Sequence, residues 1–251
     1  YLCFDVNEET LPAAVAGLKT CGIRGFNLTM PNKNKIVELL DELSPEAQLI
    51  GAVNTVLNDN GKLIGYNTDG YGFMQSVRDA GHDITGKNIT VMGVGGASMA
   101  ICAQSALDGA ASVHIFARRT SRYWNRTQKF AENLSAKTGC QVCLFDNDDH
   151  TALRDSIAQS YLLINATSVG MVPDIDDTII KDTSLFHPEL VVADVVYEPQ
   201  ETRLLREAKA AGCQTFNGMY MLLHQGAKAF QIWTGQEMPV SVIKEKYFSV
   251  K

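Results

Sequence analysis

The run Ile89-Thr90-Val91-Met92 followed by Gly93-Val94-Gly95-Gly96-Ala97-Ser98 constrains the fold more than any other part of the chain. Residues of strand character lead directly into a glycine turn, and the turn leads into the apolar helical stretch 97–108. In that setting backbone N–H groups and the positive end of the helix dipole can hold a pyrophosphate. Ser98 stands where the usual fingerprint has its third glycine, and it is small enough for the helix to pack closely. The alternative is a tight structural turn; the strand and helix on either side argue for the binding loop.

Around this loop the sequence alternates regularly: strand 88–92, helix 97–108, strand 112–116, helix 122–137, strand 141–145, helix 149–157, and strands at 161–165 and 190–194. That rhythm predicts a doubly wound α/β (Rossmann) sheet that binds NAD(P). Upstream, a strand at 1–6, a helix from Leu11 to Lys19, a strand at 25–29 and helices from about 33 and 45 predict a smaller α/β unit with a parallel sheet. Ser44-Pro45-Glu46 is a helix start, because Ser accepts from an early N–H and Pro needs no partner. Asn58-Asp59-Asn60-Gly61 joins Val53–Leu57 to Lys62–Tyr66 as a β-hairpin. A helix over 70–81 connects the two series, and amphipathic stretches at 218–232 and 239–248 close the chain. The expected division is a dinucleotide-binding domain at 70–218 and a substrate-binding domain made of 1–69 and 219–251.

A net charge of -6 with no run of Lys and Arg disfavours nucleic acid or an anionic membrane as partner and leaves small molecules. No stretch nears the roughly 18 apolar residues of a spanning helix, and no signal peptide is visible, so a cytoplasmic protein is expected. The cysteines at 3, 21, 102, 140, 143 and 213 sit among apolar or small residues, as reduced thiols do. Cys140-Gln141-Val142-Cys143 is a lone pair whose thiols would face opposite sides of a strand, so no metal is expected.

Two polar residues ahead of the glycine loop suit hydride chemistry: Lys33, closing Asn27-Leu28-Thr29-Met30-Pro31-Asn32-Lys33, and Asp69, in Tyr66-Asn67-Thr68-Asp69-Gly70. Reducing a ketone leaves developing alkoxide charge, which an ammonium stabilises and then protonates; in the oxidative direction a neutral amine takes that proton. Burial against apolar cofactor surface would disfavour the charged lysine and a nearby carboxylate would favour it, and these effects oppose each other. The blander readings are a surface lysine at a helix start and an aspartate that caps the next helix. At the end of the second strand, Ala117-Arg118-Arg119-Thr120 lacks the acidic residue that accepts from a ribose 2′-hydroxyl and offers arginines for a 2′-phosphate. NADP is therefore favoured over NAD.

The segments Asn27 to Lys33, Gly51-Ala52-Val53-Asn54-Thr55, Asn67-Thr68-Asp69-Gly70, the glycine loop, Asn165-Ala166-Thr167-Ser168-Val169-Gly170-Met171 and Asn217 to Gln225 together resemble the shikimate dehydrogenase family. Met30-Pro31-Asn32-Lys33, Val196-Tyr197-Glu198-Pro199 and Trp233-Thr234-Gly235 look most like its quinate/shikimate dehydrogenase branch. The resemblance implies reversible NAD(P)-dependent oxidation of shikimate to 3-dehydroshikimate, with quinate to 3-dehydroquinate in parallel. It makes Lys33 and Asp69 the catalytic pair and lines the polyol site with Thr29, Asn54, Thr68, Tyr197 and Gln225. For the cofactor it implies Gly93, Val94, Gly95, Gly96, Ala97, Arg118, Arg119, Thr120, Thr167, Ser168, Val195 and Gly218. Thr120 departs from that branch, which often carries an acidic residue there, and this weakens the branch's preference for NAD.

The family holds the substrate carboxylate with a pair of serines in its first strand–helix unit. No such pair is present here, so an N-terminal βα unit is expected to precede Tyr1. Monomer and homodimer are both compatible with the family. A rival reading is a catalytically silent, dinucleotide-binding metabolite sensor of the same fold. Lys33 and Asp69, together with the neutral polyol partners, argue against it. His224 reads as a packed helix residue rather than a proton shuttle, and His82, His114, His150 and His187 lack a Ser or Cys partner in any recognisable arrangement.

Overall fold

The computed structural model describes residues 1–248; residues 249–251, at the end of the expected 219–251 segment, lie outside the described residues. In chain order the first elements are α1 (Leu11–Thr20), β1 (Gly25–Asn27), α2 (Asn32–Lys35) with a 3-10 turn at Ile36–Leu39, β2 (Glu42–Leu43), α3 (Pro45–Ile50), β3 (Thr55–Asp59), β4 (Lys62–Tyr66) and α4 (Asp69–Asp79). There follow β5 (Asn88–Met92), α5 (Gly96–Leu107), β6 (Ser112–Ala117), α6 (Trp124–Thr138), β7 (Gln141–Asp146), α7 (His150–Gln159), β8 (Leu162–Asn165), β9 (Val191–Asp194), α8 (Arg203–Ala210), β10 (Gln214–Phe216), α9 (Met219–Thr234) and α10 (Val240–Ile243).

The larger sheet has six strands in the order β10-β9-β8-β5-β6-β7, all paired in parallel. Its strands are apolar on both faces because helices cover both. Ile89, Val91, Ile115, Leu162 and Ile164 face one core, with Phe73 and Ala100, whereas Met92, Phe116, Leu163 and Val192 face a second core with Ile157 and Leu204. The chain reverses its winding between β5 and β8, so the carboxyl ends of those strands form the crevice where ligands of such sheets bind.

The smaller sheet corrects two expectations. Its order is β1-β3-β4-β2, with β1/β3 and β3/β4 antiparallel and only β2/β4 parallel, so it is mixed rather than parallel. The hairpin forces this: Asn60 and Gly61 adopt φ of 53° and 92°, the left-handed pair that turns one strand back on its neighbour. Residues 1–6 form no strand, although their alternation predicts one. Alternation reports the propensity of one segment, while a strand also needs a partner ladder, and among the described residues β1 pairs only with β3. The segment is held instead by side chains, with Asn32 Nδ2 donating to the Val6 carbonyl at 2.7 Å and Tyr1 Oη donating to Asn27 Oδ1 at 2.7 Å.

α4 joins the two sheets, and its glycines make the joint possible. A Cβ on Gly70 would lie 2.3 Å from the Ala100 carbonyl oxygen in α5, and one on Gly72 would lie 2.7 Å from the Met221 carbonyl oxygen in α9. Only hydrogen fits at these positions, so the start of α4 is wedged between the helix that follows the glycine loop and the helix that closes the chain. The expected helix at 239–248 begins as α10 and continues as a π-helical turn over Lys244–Phe248. Among the described residues no helix is long and apolar enough to cross a membrane.

Candidate active site

The four residues Gly51 to Asn54 hold the site together. The Val53 N–H donates to the Lys33 carbonyl at 2.8 Å, and Asn34 Nδ2 donates to the Gly51 carbonyl at 2.7 Å, which ties the short α2 to this stretch. From the other direction, Asn67 Nδ2 donates to the Ala52 carbonyl at 3.1 Å, and the Asp69 N–H donates to Asn67 Oδ1 at 3.1 Å. Lys33 and Asp69, distant in sequence, are thereby brought to opposite sides of one strand entry.

There they form an ion pair, Lys33 Nζ to Asp69 Oδ2 at 2.6 Å, with side chains 19% and 10% exposed. A contact this short between charged groups is among the stronger hydrogen bonds in proteins. Asp69 opens α4, where the helix dipole favours negative charge. Its other oxygen accepts from Asn54 Nδ2 at 2.8 Å. Asn54 also donates to Thr68 Oγ1 at 3.0 Å, and its Oδ1 accepts from the Thr68 N–H at 2.9 Å and Thr55 Oγ1 at 2.9 Å. The carboxylate is thus fixed on two sides, while the Lys33 ammonium keeps donors in hand for a substrate oxygen. The bland reading of Asp69 does not hold, since the capping position falls on Thr68.

The second part of the site is a cleft of about 560 Å³ at the carboxyl ends of β5, β8 and β9. Gly95, Gly96 and Ala97 line one side, Ala166, Thr167 and Ser168 another, and Val195 to Glu198 a third. Gly93, at φ 110°, packs so closely that a Cβ would meet Thr167 Cγ2 at 2.8 Å. Gly95 and Gly96, by contrast, have nothing within 4 Å of where a Cβ would stand. That open space lies at the amino end of α5, whose first N–H groups have no partner inside the helix, and it suits the close approach of a pyrophosphate. Ser98 takes the place of the third glycine without loss: it is fully buried and donates to the Gly93 carbonyl at 2.5 Å.

The sequence matches the shikimate dehydrogenase substrate binding domain over residues 1–56 and the shikimate 5′-dehydrogenase C-terminal domain over residues 218–246. It is 50% identical over 248 residues, 99% of this chain and 85% of the relative, to the shikimate dehydrogenase (NADP(+)) of Listeria innocua. The chain belongs to the shikimate dehydrogenase family. The quinate/shikimate dehydrogenase of Escherichia coli is 42% identical over 98% of this chain and 85% of its own length. The crystal structure of the shikimate 5-dehydrogenase from Listeria monocytogenes in complex with shikimate and NAD superposes with a TM-score of 0.95 at 50% identity, covering 98% of this chain and 84% of that one.

On this dehydrogenase fold Thr68 is buried beside Asp69, and Gln225 is half-buried on the α9 face that Gly72 packs against. Thr29 and Tyr197 are exposed. Gly218 sits against the cleft wall, where a Cβ would lie 2.0 Å from the Val195 carbonyl oxygen. The Gly93 N–H donates to the Phe116 carbonyl at 2.8 Å, which puts Arg118, two residues on, beside the glycine loop. Val94 packs on the core below. Arg118, Arg119 and Thr120 are all exposed, and the Arg119 guanidinium lies 4.6 Å over the Trp124 ring. Met171 and Val172 also line the cleft, which sequence reading missed; this exposed apolar pair in a glycine-containing loop was the available signal.

The residues set aside also have defined settings. His224 is buried with Nε2 2.9 Å from Asp79 Oδ2, and burial, opposed by Asp79, holds its pKa below the usual value. All six cysteines are free thiols. Burial pushes Cys102 up to about 12 and Cys140 up to about 11, so neither thiol is reactive at neutral pH.

Proposed function

We propose that the protein oxidises shikimate to 3-dehydroshikimate reversibly, and quinate to 3-dehydroquinate, with NADP used in preference to NAD. The observation that carries this reading is the 2.6 Å Lys33–Asp69 pair, anchored by α4 to the helix of the dinucleotide loop. The nicotinamide, when bound, accepts or delivers the hydride. Lys33 does the proton work: its Nζ donates to the carbonyl oxygen as negative charge develops there, and takes the hydroxyl proton in the reverse direction. Asp69 aims that amine and accepts from a neighbouring substrate hydroxyl. Thr29, Asn54, Thr68, Tyr197 and Gln225 serve the remaining oxygens, because a buried hydroxyl left unpaired costs ~1–3 kcal/mol. Residues 70–218 carry the dinucleotide, through Gly93 to Ala97, Arg118 to Thr120, Thr167, Ser168, Val195 and Gly218; residues 1–69 with those from 219 on carry the acid. Six free thiols fit a cytoplasmic setting.

Dinucleotide reduction followed with shikimate and with quinate, each with NADP and NAD, tests this. Turnover of shikimate with NADP is expected; no turnover of either acid with either cofactor would leave only the silent-sensor reading. Replacing Arg118 and Arg119 together by Ala is expected to raise the KM for NADP ~10-fold or more, as loss of charge-assisted phosphate contacts does, with the KM for NAD within ~2-fold. Equal changes for both cofactors would refute the assignment.

A further inference from the structure

Asp194 ends β9, which lies between β10 and β8 in the larger sheet, and is fully buried. Its partners are neutral: Oδ1 accepts from Asn165 Nδ2 at 3.0 Å and from the Val196 N–H at 2.9 Å, and Oδ2 accepts from Thr202 Oγ1 at 2.7 Å. A buried carboxylate without a cation is expensive and persists only where such donors hold it. Desolvation raises its pKa above the usual carboxylate value, and the same three hydrogen bonds pull it back.

Each partner belongs to a wall of the dinucleotide cleft or supports one. Asn165 is the register partner of Asp194 across the β8–β9 ladder. Its Oδ1 accepts from the Thr167 N–H at 3.1 Å and Thr167 Oγ1 at 2.6 Å, and its Nδ2 also donates to the Val169 carbonyl at 3.1 Å. The amide of Asn165 is therefore fully used, and it sets the path of the loop 166–169. Val196 lies in the opposite wall, and its carbonyl accepts from the Gly218 N–H at 3.2 Å. Thr202 caps α8, accepting from the Leu205 N–H at 3.5 Å. One carboxylate thus joins two cleft loops and a helix start.

We propose that Asp194 is a positioning residue that locks loops 166–169 and 195–198 at the separation a dinucleotide requires. It touches neither acid nor cofactor and acts through Asn165 and the Val196 N–H. The inference rests on this cleft being the dinucleotide site, as proposed above, but not on which acid is oxidised.

Calorimetric titration of the oxidised dinucleotide into the full chain tests it without any need for turnover. Asp194→Ala is expected to weaken dinucleotide affinity ~10-fold or more. Asp194→Asn keeps the carbonyl oxygen for Asn165 and Val196 and offers its NH2 to Thr202 Oγ1, so affinity should recover to within ~3-fold of wild type. Asn165→Ala should match Asp194→Ala, and the double variant should be no weaker than the worse single, because the two act through one network. A merely structural role would lower the melting temperature and leave affinity alone: wild-type dinucleotide affinity in Asp194→Ala, measured well below its Tm, overturns the proposal. Should Asp194→Ala not fold, Thr202→Val removes only the hydroxyl; a fall in affinity of ~3-fold or more supports the lock, and unchanged affinity overturns it. Wild type that binds dinucleotide yet turns over neither acid would refute the reaction while leaving the lock testable.

Discussion

Lys33→Ala is expected to lower kcat for shikimate oxidation ~10³-fold, within the usual range for loss of a general acid–base. Lys33 Nζ is the amine that the ion pair holds, and in the proposed reaction its truncation removes both the proton acceptor of oxidation and the donor of reduction. The loss should therefore appear in both directions. The KM for the dinucleotide should stay within ~2-fold, because Lys33 does not line the dinucleotide cleft and so contributes nothing to uniform binding of that substrate. Truncation also strips Asp69 of its cation, leaving a carboxylate with a side chain only 10% exposed and Asn54 as its remaining partner. Some stability is lost as well, so Lys33→Met, which keeps the stem, is the control for folding. Steady-state kinetics beside thermal melts separate the effects: a variant that melts like wild type and turns over ~10³-fold slower supports the role. Full activity of Lys33→Ala would remove it.

The larger sheet could be read from the sequence because its strands are local apolar runs ending at punctuation that the chain carries itself. The glycine loop, the Ser44-Pro45 helix start and the Asn60-Gly61 turn are all short-range signals, and the side chains and φ angles agree with them. Failures came where structure depends on a distant partner. Tyr1 to Val6 alternates like a strand but has no ladder beside it, and β1 ends up next to β3. α8 is a different case, because its signals are local: Thr202, the buried Leu204, Leu205 and Ala208, and Gly212 after them are a helix with its cap and its stop. Among site residues, Lys33 and Asp69 were visible as an amine and a carboxylate, yet only the fold supplies what joins them. No periodicity in the sequence says that Val53 holds Lys33 while Asn54 holds Asp69. Asn165 and Asp194 were hidden for the same reason: each is one polar residue at the end of an apolar strand, and their meaning comes from lying side by side in the ladder.

Asp69→Asn is expected to lower kcat/KM for shikimate ~10²-fold or more, although it changes a single atom. Both carboxylate oxygens accept, one from the Lys33 ammonium and one from Asn54 Nδ2. An asparagine has one acceptor and one donor end, so whichever way the amide turns, its NH2 meets either Lys33 or the Asn54 amide. Asn54 cannot turn to compensate, because its own carbonyl oxygen is taken by the Thr68 N–H and Thr55 Oγ1. One buried donor is left unmet, at ~1–3 kcal/mol, and Lys33 loses the anion that aims it. A 1 Å drift of the amine is enough to cost ~10² in rate. If Asp69 works through Lys33, the double variant Lys33→Ala/Asp69→Asn should be scarcely slower than Lys33→Ala alone. Multiplying losses would mean instead that Asp69 acts mainly on the substrate hydroxyl, and the KM for shikimate would then carry the change.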